Sequence, residues 1–262
     1  FHGVGGSVGD VAGPLATGAL LMGLGWKGIL CLYAIVPVFL AFLAVWSFQN
    51  IGRVEESEEI SGGQPSRAEA TKRLLTDPLL WGITVVRGLR AMSLVALVTV
   101  LPLYLGNDLG MSPFARGFHI GLLIAIGLVA KPLAGYLSDR WGRKQVLVPG
   151  LVWSCVLAFM LAQFGQGLGL TVSIALLGLF LYPDQPILTA AALDLVGDGP
   201  AATTLGVLSF SRFGMAAAAP LIGGMLYGIA PYLAFYYIAG LFALATVVLS
   251  VVPLRPLGLE AG

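Results

Sequence analysis

Charge is what this sequence has least of. Of its 262 residues only 10% are Asp, Glu, Lys or Arg, against about 25% in an ordinary soluble domain. So few charges cannot cover a water-exposed surface. Other shortages narrow the function. The net charge is +1 and no run of Lys or Arg is present, so nucleic acid is not an expected partner. The two cysteines, Cys31 and Cys155, lie inside apolar stretches and read as small core residues rather than a disulfide. His2 and His119 have no His, Cys or acidic partner at metal-ligand spacing, so no metal is expected. No nucleophile motif, Walker loop or dinucleotide fingerprint is present. Neither an enzyme nor a cofactor is therefore expected. There is no initiating Met and no signal-peptide pattern. The chain opens inside a helical segment at Phe1, as a fragment would.

What is present is apolar length. Hydrophobic residues make up 58% of the chain and mean hydropathy is +0.92. The charges are clustered, which leaves apolar stretches of about 20 residues. At about 1.5 Å rise per residue, each crosses a hydrocarbon core of about 30 Å. With no water there, backbone groups must pair within helices or a closed barrel. Barrel strands alternate over roughly ten residues and these runs do not. The expected fold is an all-α membrane protein with the lipid bilayer as its solvent. Eight spans are expected, at 2–24, 28–48, 79–105, 115–137, 145–164, 168–193, 202–228 and 232–253.

One connection is long. Residues 49–78 hold Arg53, Glu55, Glu56, Glu58, Glu59, Arg67, Glu69, Lys72 and Arg73 around Ser61-Gly62-Gly63, a polar linker. It closes on Asp77-Pro78, an N-cap followed by proline in the first turn. Lys/Arg bias sets the orientation. The linker, the 138–144 loop and Arg255 fall on one side. Only Lys27 and Arg116 fall on the other. The first side is expected to be cytoplasmic, with the linker and C-terminus there, in a multi-pass protein of the cell membrane.

A weak internal repeat relates Gly13-Pro14-Leu15-Ala16-Thr17-Gly18-Ala19-Leu20 to Ala219-Pro220-Leu221-Ile222-Gly223-Gly224-Met225-Leu226. It makes the first and seventh spans equivalent members of two six-helix repeats. Repeated helix sets with a site between them mark secondary transporters. Between the fourth and fifth spans lies Gly135-Tyr136-Leu137-Ser138-Asp139-Arg140-Trp141-Gly142-Arg143-Lys144, followed by Leu147. This loop resembles the cytoplasmic signature of the major facilitator superfamily, with Gly135, Leu137, Asp139, Arg140, Gly142, Arg143, Lys144 and Leu147 in place. A basic loop obeying topology explains the bases but not Asp139 or the glycines.

That resemblance covers the whole chain and implies its organisation. Residues 1–48 correspond to the last two helices of an N-terminal half, 49–78 to the cytoplasmic linker, and 79–262 to the C-terminal six-helix half of a twelve-helix transporter. The four helices before Phe1 would then be partners supplied by the same protein. In the family, helices five and eight meet at the boundary between halves. The acid matching Asp139 braces that boundary when the cytoplasmic side is closed. Asp139 is accordingly expected near the start of the first span in an outward-facing state and away from it in an inward-facing one. The alternative is that it only pairs with its neighbouring arginines. The first span carries Gly9, Gly13, Pro14 and Gly18, which resemble the fifth-helix motif of antiporters, with Thr17 in place of one closing glycine. Ordinary small-residue helix packing explains the same spacing.

The informative charges are those a bilayer rejects, since an ionisable group at its centre costs about 2.5–3.5 kcal/mol. Arg87 and Arg90 share a helix face, roughly 13 and 18 Å from Pro78 along the axis. Arg212 lies mid-way along the seventh span. Asp184 lies mid-way along the sixth, in Tyr182-Pro183-Asp184-Gln185-Pro186, where two prolines disrupt the helix. Arg87, Arg90, Arg212 and Gln185 are the candidate substrate-binding residues. Asp184 is the candidate proton carrier, or the partner of an arginine. Lys131 is expected to snorkel. Asp10 and His119 read as polar packing residues before functional ones.

Three arginines against one aspartate favour an anionic solute such as a carboxylate or phosphate ester. The leading expectation is a secondary transporter of a small organic solute, driven by protons or another coupling ion, by alternating access. A drug/proton antiporter for amphipathic compounds, using Asp184 for the proton, is the competing transporter reading. A transporter-like membrane sensor without flux is the alternative from another class.

Overall fold

The computed structural model describes residues 2–48, 76–164, 167–196 and 201–253, and no side chains at residues 2–8, 48, 201 and 202. Nearly all of the linker at 49–78, and Arg255 in the tail, lie outside these residues. Backbone groups in so apolar a chain have to pair internally. Among the described residues they do so in helices, with no strand. The helices are α1 (His2–Leu20), α2 (Trp26–Phe48), α3 (Pro78–Leu103), a π-helical turn (Tyr104–Asp108), α4 (Pro113–Trp141), α5 (Arg143–Leu161), α6 (Leu168–Leu181), α7 (Asp184–Val196), α8 (Ala201–Ile229) and α9 (Pro231–Val251).

The starts of α3 and α4 follow one design. Asp77 Oδ1 accepts from the Leu79 amide at 2.8 Å, and Ser112 Oγ from the Ala115 amide at 3.3 Å, each with proline as the first helical residue. The side chain satisfies an otherwise unpaired N–H, and proline has none to satisfy.

Two spans differ from expectation. The sixth is split. α6 ends at Leu181 and α7 begins at Asp184, because Pro183 has no N–H and its ring collides with the preceding turn. Pro186 is tolerated because it sits in the first turn of α7. The first span is shorter than expected, ending at Leu20 with a turn over 21–23. Among the described residues seven stretches are long and apolar enough to cross a membrane; α1, diluted by glycine, is not one of them.

The core is built by α3 to α9. Its buried cluster runs from Leu80 to Val252 and is centred on side chains such as Phe235, Phe242, Leu97, Leu123 and Leu151. α3 packs on α8 and α9, α9 on α5, and α4 on α6. Neither α1 nor α2 contributes to that cluster. α1 docks on α4. α2 turns Trp26, Ile35, Phe39, Phe42 and Trp46 outward and is tied to α1 by the Thr17 and Tyr33 hydroxyls at 2.9 Å. Cys31, expected in a core, is exposed on that helix; both cysteines are free thiols.

The α1–α4 contact is a glycine seam. A Cβ on Gly18 would stand 2.6 Å from the Pro113 carbonyl oxygen, and one on Gly121 2.9 Å from Leu15 Cγ. A Cβ on Gly117 would strike the Pro14 carbonyl oxygen. Small residues four apart let the two backbones touch. The seam is tight at only one end. Towards the 138–144 loop, Cβ atoms added at Gly9, Gly13 or Gly135 would meet nothing within 4 Å.

Candidate functional site

Mid-depth in the bundle, α3 meets the start of α7. Arg90 stands near the middle of the 26-residue α3. Asp184 stands near the middle of the 29-residue stretch Leu168–Val196. The helix break places Asp184 at a helix start, where its carboxylate is free of the preceding turn. Arg90 is 0% exposed and Asp184 6%. They form a forked ion pair: Arg90 Nε donates to Asp184 Oδ2, and Nη2 donates to Oδ1 at 3.1 Å. The Arg90 guanidinium carbon also lies 5.3 Å from the centre of the Phe242 ring, within the range of a cation–π contact.

One turn earlier on the same face, Arg87 Nη1 donates to Thr189 Oγ1 at 2.6 Å. The Thr189 hydroxyl donates in turn to the Gln185 carbonyl oxygen at 2.9 Å. Arg87 lies within electrostatic range of Arg212 and of Asp184. Arg212 is half-buried beside Phe213, its guanidinium carbon 5.4 Å from that ring centre, and donates no hydrogen bond among the described residues. Gly88, between the two α3 arginines, has no Cβ to keep out the Met215 thioether of α8. That close approach brings the helix bearing Arg212 onto α3. Three guanidinium charges against one carboxylate leave the site two positive charges in excess.

The rim adds Tyr182, which ends α6. Lys131 Nζ lies 5.9 Å from the Tyr182 ring centre, so it turns onto an aromatic face within the bundle where snorkelling was expected. Asp10 of α1 is exposed and close enough to act electrostatically on Tyr182. His119 is 8% exposed, with Nδ1 2.7 Å from the Ala115 carbonyl oxygen and Nε2 3.0 Å from Thr171 Oγ1. Both ring nitrogens are engaged at the α4–α6 contact.

The second cluster is the loop between α4 and α5. Gly142 takes φ +101° and ψ 147°, a conformation close to glycine-only backbone, and so turns the chain in one residue. Arg143 then folds back. Its Nη1 donates to Asp139 Oδ1 and, at 3.2 Å, to Ser138 Oγ, and its Nε donates to Asp194 Oδ2 at 3.1 Å. Lys144 Nζ donates to the Ser250 and Val252 carbonyl oxygens at 2.7 and 2.8 Å, capping the end of α9 with a cation where carbonyls lack partners. Arg140 is exposed, 3.4 Å from the Tyr136 hydroxyl. The Asp139 side chain is 67% exposed. Its expected neighbours, the side chains at the start of α1, lie outside the described residues.

Comparison with known proteins decides the family. The Major Facilitator Superfamily profile matches residues 1–130 and 83–260. The chain belongs to the Major Facilitator Superfamily. It is similar to Multidrug resistance protein 1 of Bacillus subtilis (strain 168), 30% identical over 154 residues, 57% of this chain and 38% of that protein. It is similar to the MFS-type transporter YfnC of the same organism, 27% identical over 229 residues, 85% and 54% of the two chains. It is also 24% identical over 229 residues to that organism's glycerol-3-phosphate transporter, covering 80% and 51%. The chain spans about half the length, or less, of these relatives. As a member of this superfamily it is an integral membrane transport protein.

Of the residues singled out in the sequence, Arg87, Arg90, Asp184 and Gln185 come together, with Arg212 beside them. Gly13, Pro14 and Gly18 lie along the α1 seam. Asp139, Arg143 and Gly142 form one loop network. The sequence reading missed Thr189, Phe242 and Asp194, and the α4 side of the seam. Gly117-Phe118-His119-Ile120-Gly121 is itself a small-xxx-small pattern. Asp194, an acid at the end of a span facing a basic loop, was a second legible signal.

Proposed function

We propose that this chain belongs to a proton-coupled secondary transporter that carries a small organic anion across the cell membrane by alternating access. Residues 1–48 are the end of its N-terminal half, 49–78 its cytoplasmic linker and 79–262 its C-terminal half. Further helices of the same protein complete the site. The linker and C-terminus are cytoplasmic. The observation that carries the reading is the Arg87–Arg90–Asp184 constellation at mid-depth, with Arg212 beside it. Bilayers reject such charges unless they face a pathway or a partner, and one carboxylate does not neutralise three guanidinium groups. Asp184 takes the coupling proton: a carboxylate held by a single buried arginine is released when it is protonated. The relationship to a glycerol-3-phosphate transporter fits a phosphate- or carboxylate-bearing solute.

The seam supports the alternating-access part. α1 and α4 touch at the end remote from the 138–144 loop and separate towards it, the shape of a transporter open to the loop side. Asp139, bound to Arg143 and otherwise exposed, fits the same state. The Gly13-Pro14 and Gly18 packing, with 30% identity to Multidrug resistance protein 1, favours a second reading, a drug/proton antiporter that uses Asp184 in the same way. Arg90→Ala and Arg212→Ala in the whole protein separate them. Under the anion reading each abolishes anion flux while membrane insertion stays normal. Unchanged anion kinetics in both would remove the site's proposed role.

A further inference from the structure

The contact between α3 and α7 holds more hydrogen-bond donors than the protein uses. Arg87 Nε, Arg90 Nη1 and Gln185 Nε2 are buried and have no partner in the protein. Buried N–H groups are paired in the great majority of cases, so each exception calls for an explanation. All three belong to side chains drawn to one place. Thr189 holds Arg87 and donates to the Gln185 carbonyl oxygen; Asp184, which holds Arg90, is the residue before Gln185. Both Asp184 oxygens already accept from Arg90. The surplus is one of donors only, and it coincides with the excess of two positive charges.

We propose that Arg87, Arg90 and Gln185 form a headgroup site for a phosphate monoester or phosphonate; this rests on the organic-anion reading above and narrows it. Three free donors match the three terminal oxygens of a phosphoryl group, whereas a carboxylate offers two. A phosphomonoester carries about −1.5 to −2 charge near neutral pH, which balances the excess; a monocarboxylate balances half of it. A dicarboxylate has the charge, but its carbon chain separates the two ends, so only one reaches the three donors. Guanidinium forks are suited to phosphate oxygens. Gln185 contributes a neutral donor that fixes orientation without adding charge. Arg212 raises the local potential from the edge.

The test is calorimetric titration of the whole protein in lipid nanodiscs with inorganic phosphate, methylphosphonate, acetate and succinate. The phosphorus probes are expected to bind at least about tenfold tighter than either carboxylate, the value of one charge-assisted hydrogen bond. Arg87→Lys keeps the charge and removes the fork, and should weaken phosphate by about 10- to 100-fold. Gln185→Glu puts an anion where a donor was and should abolish phosphate binding. Gln185→Ala replaces it if that variant is not monodisperse, and should weaken binding without removing it. Carboxylates binding as tightly as phosphate, or variants that leave phosphate affinity unchanged, overturn the headgroup site and leave the anion reading standing. A monodisperse protein that binds none of the four probes overturns both.

Discussion

Removing the Asp184 carboxylate strands Arg90. The arginine is 0% exposed and sits near the middle of α3, about 18 Å from the helix start, too deep to snorkel to an interface. Two of its donors lose their acceptor at once, and the Phe242 ring is no substitute for an anion. Breaking a buried pair by removing one partner costs about 3–5 kcal/mol. For a protein of this size that is a fall of roughly 6–20 °C in Tm. Replacing both partners with apolar residues of similar volume is different: such swaps are neutral or stabilise by about 1–4 kcal/mol. The expected order of melting temperatures is therefore Asp184→Ala well below wild type, and Arg90→Met/Asp184→Leu at or above it, with no transport in either. Scanning fluorimetry of purified protein measures the first two, and vesicle flux the third. If Asp184→Ala melts with the wild type, or the double variant melts as low as the single, the buried pair does not hold Arg90 as described.

The seam and the loop give further expectations. Gly117→Ala places a Cβ against the Pro14 carbonyl oxygen, and should destabilise by about 1–3 kcal/mol in thermal unfolding. Gly142→Ala should cost about 1–3 kcal/mol because of its φ of +101°. Gly135→Ala, with nothing within 4 Å, should lose no stability in the same assay. Arg143→Ala breaks links to Asp139 and Asp194, which are 67% and 43% exposed. Stability should therefore change by under about 1 kcal/mol while flux falls. A large loss of Tm with normal flux would make that arginine a structural brace.

The scarcity of charge made the fold class legible, because only helices or barrels satisfy a backbone in lipid. Most helix boundaries followed from proline and capping residues such as Asp77 and Ser112. The break at Pro183 was visible for the same reason. The first span was overestimated because Leu21, Met22 and Leu24 extend the apolar run beyond the helix end at Leu20. The site was half legible. Mid-span arginines and an aspartate stand out against an apolar background, but their pairing depends on helix rotation and contact, which spacing within one helix does not contain. Spacing placed Arg87 and Arg90 on one face. It did not say that Arg90 takes Asp184 while Arg87 takes Thr189, and it did not separate Arg212 from the pair. Asp194 and Gly117 were missed because each matters only through a partner in another helix.

The central claim is proton-driven movement of an organic anion, and the most direct measurement is flux through the whole protein in proteoliposomes under an imposed pH gradient. The panel holds phosphate monoesters, carboxylates and cationic dyes, with protein-free vesicles as the blank. The account predicts accumulation of an anion that follows the gradient, collapses with a protonophore and disappears in Arg90→Ala. Movement of dyes alone, or no movement of any solute, would contradict it.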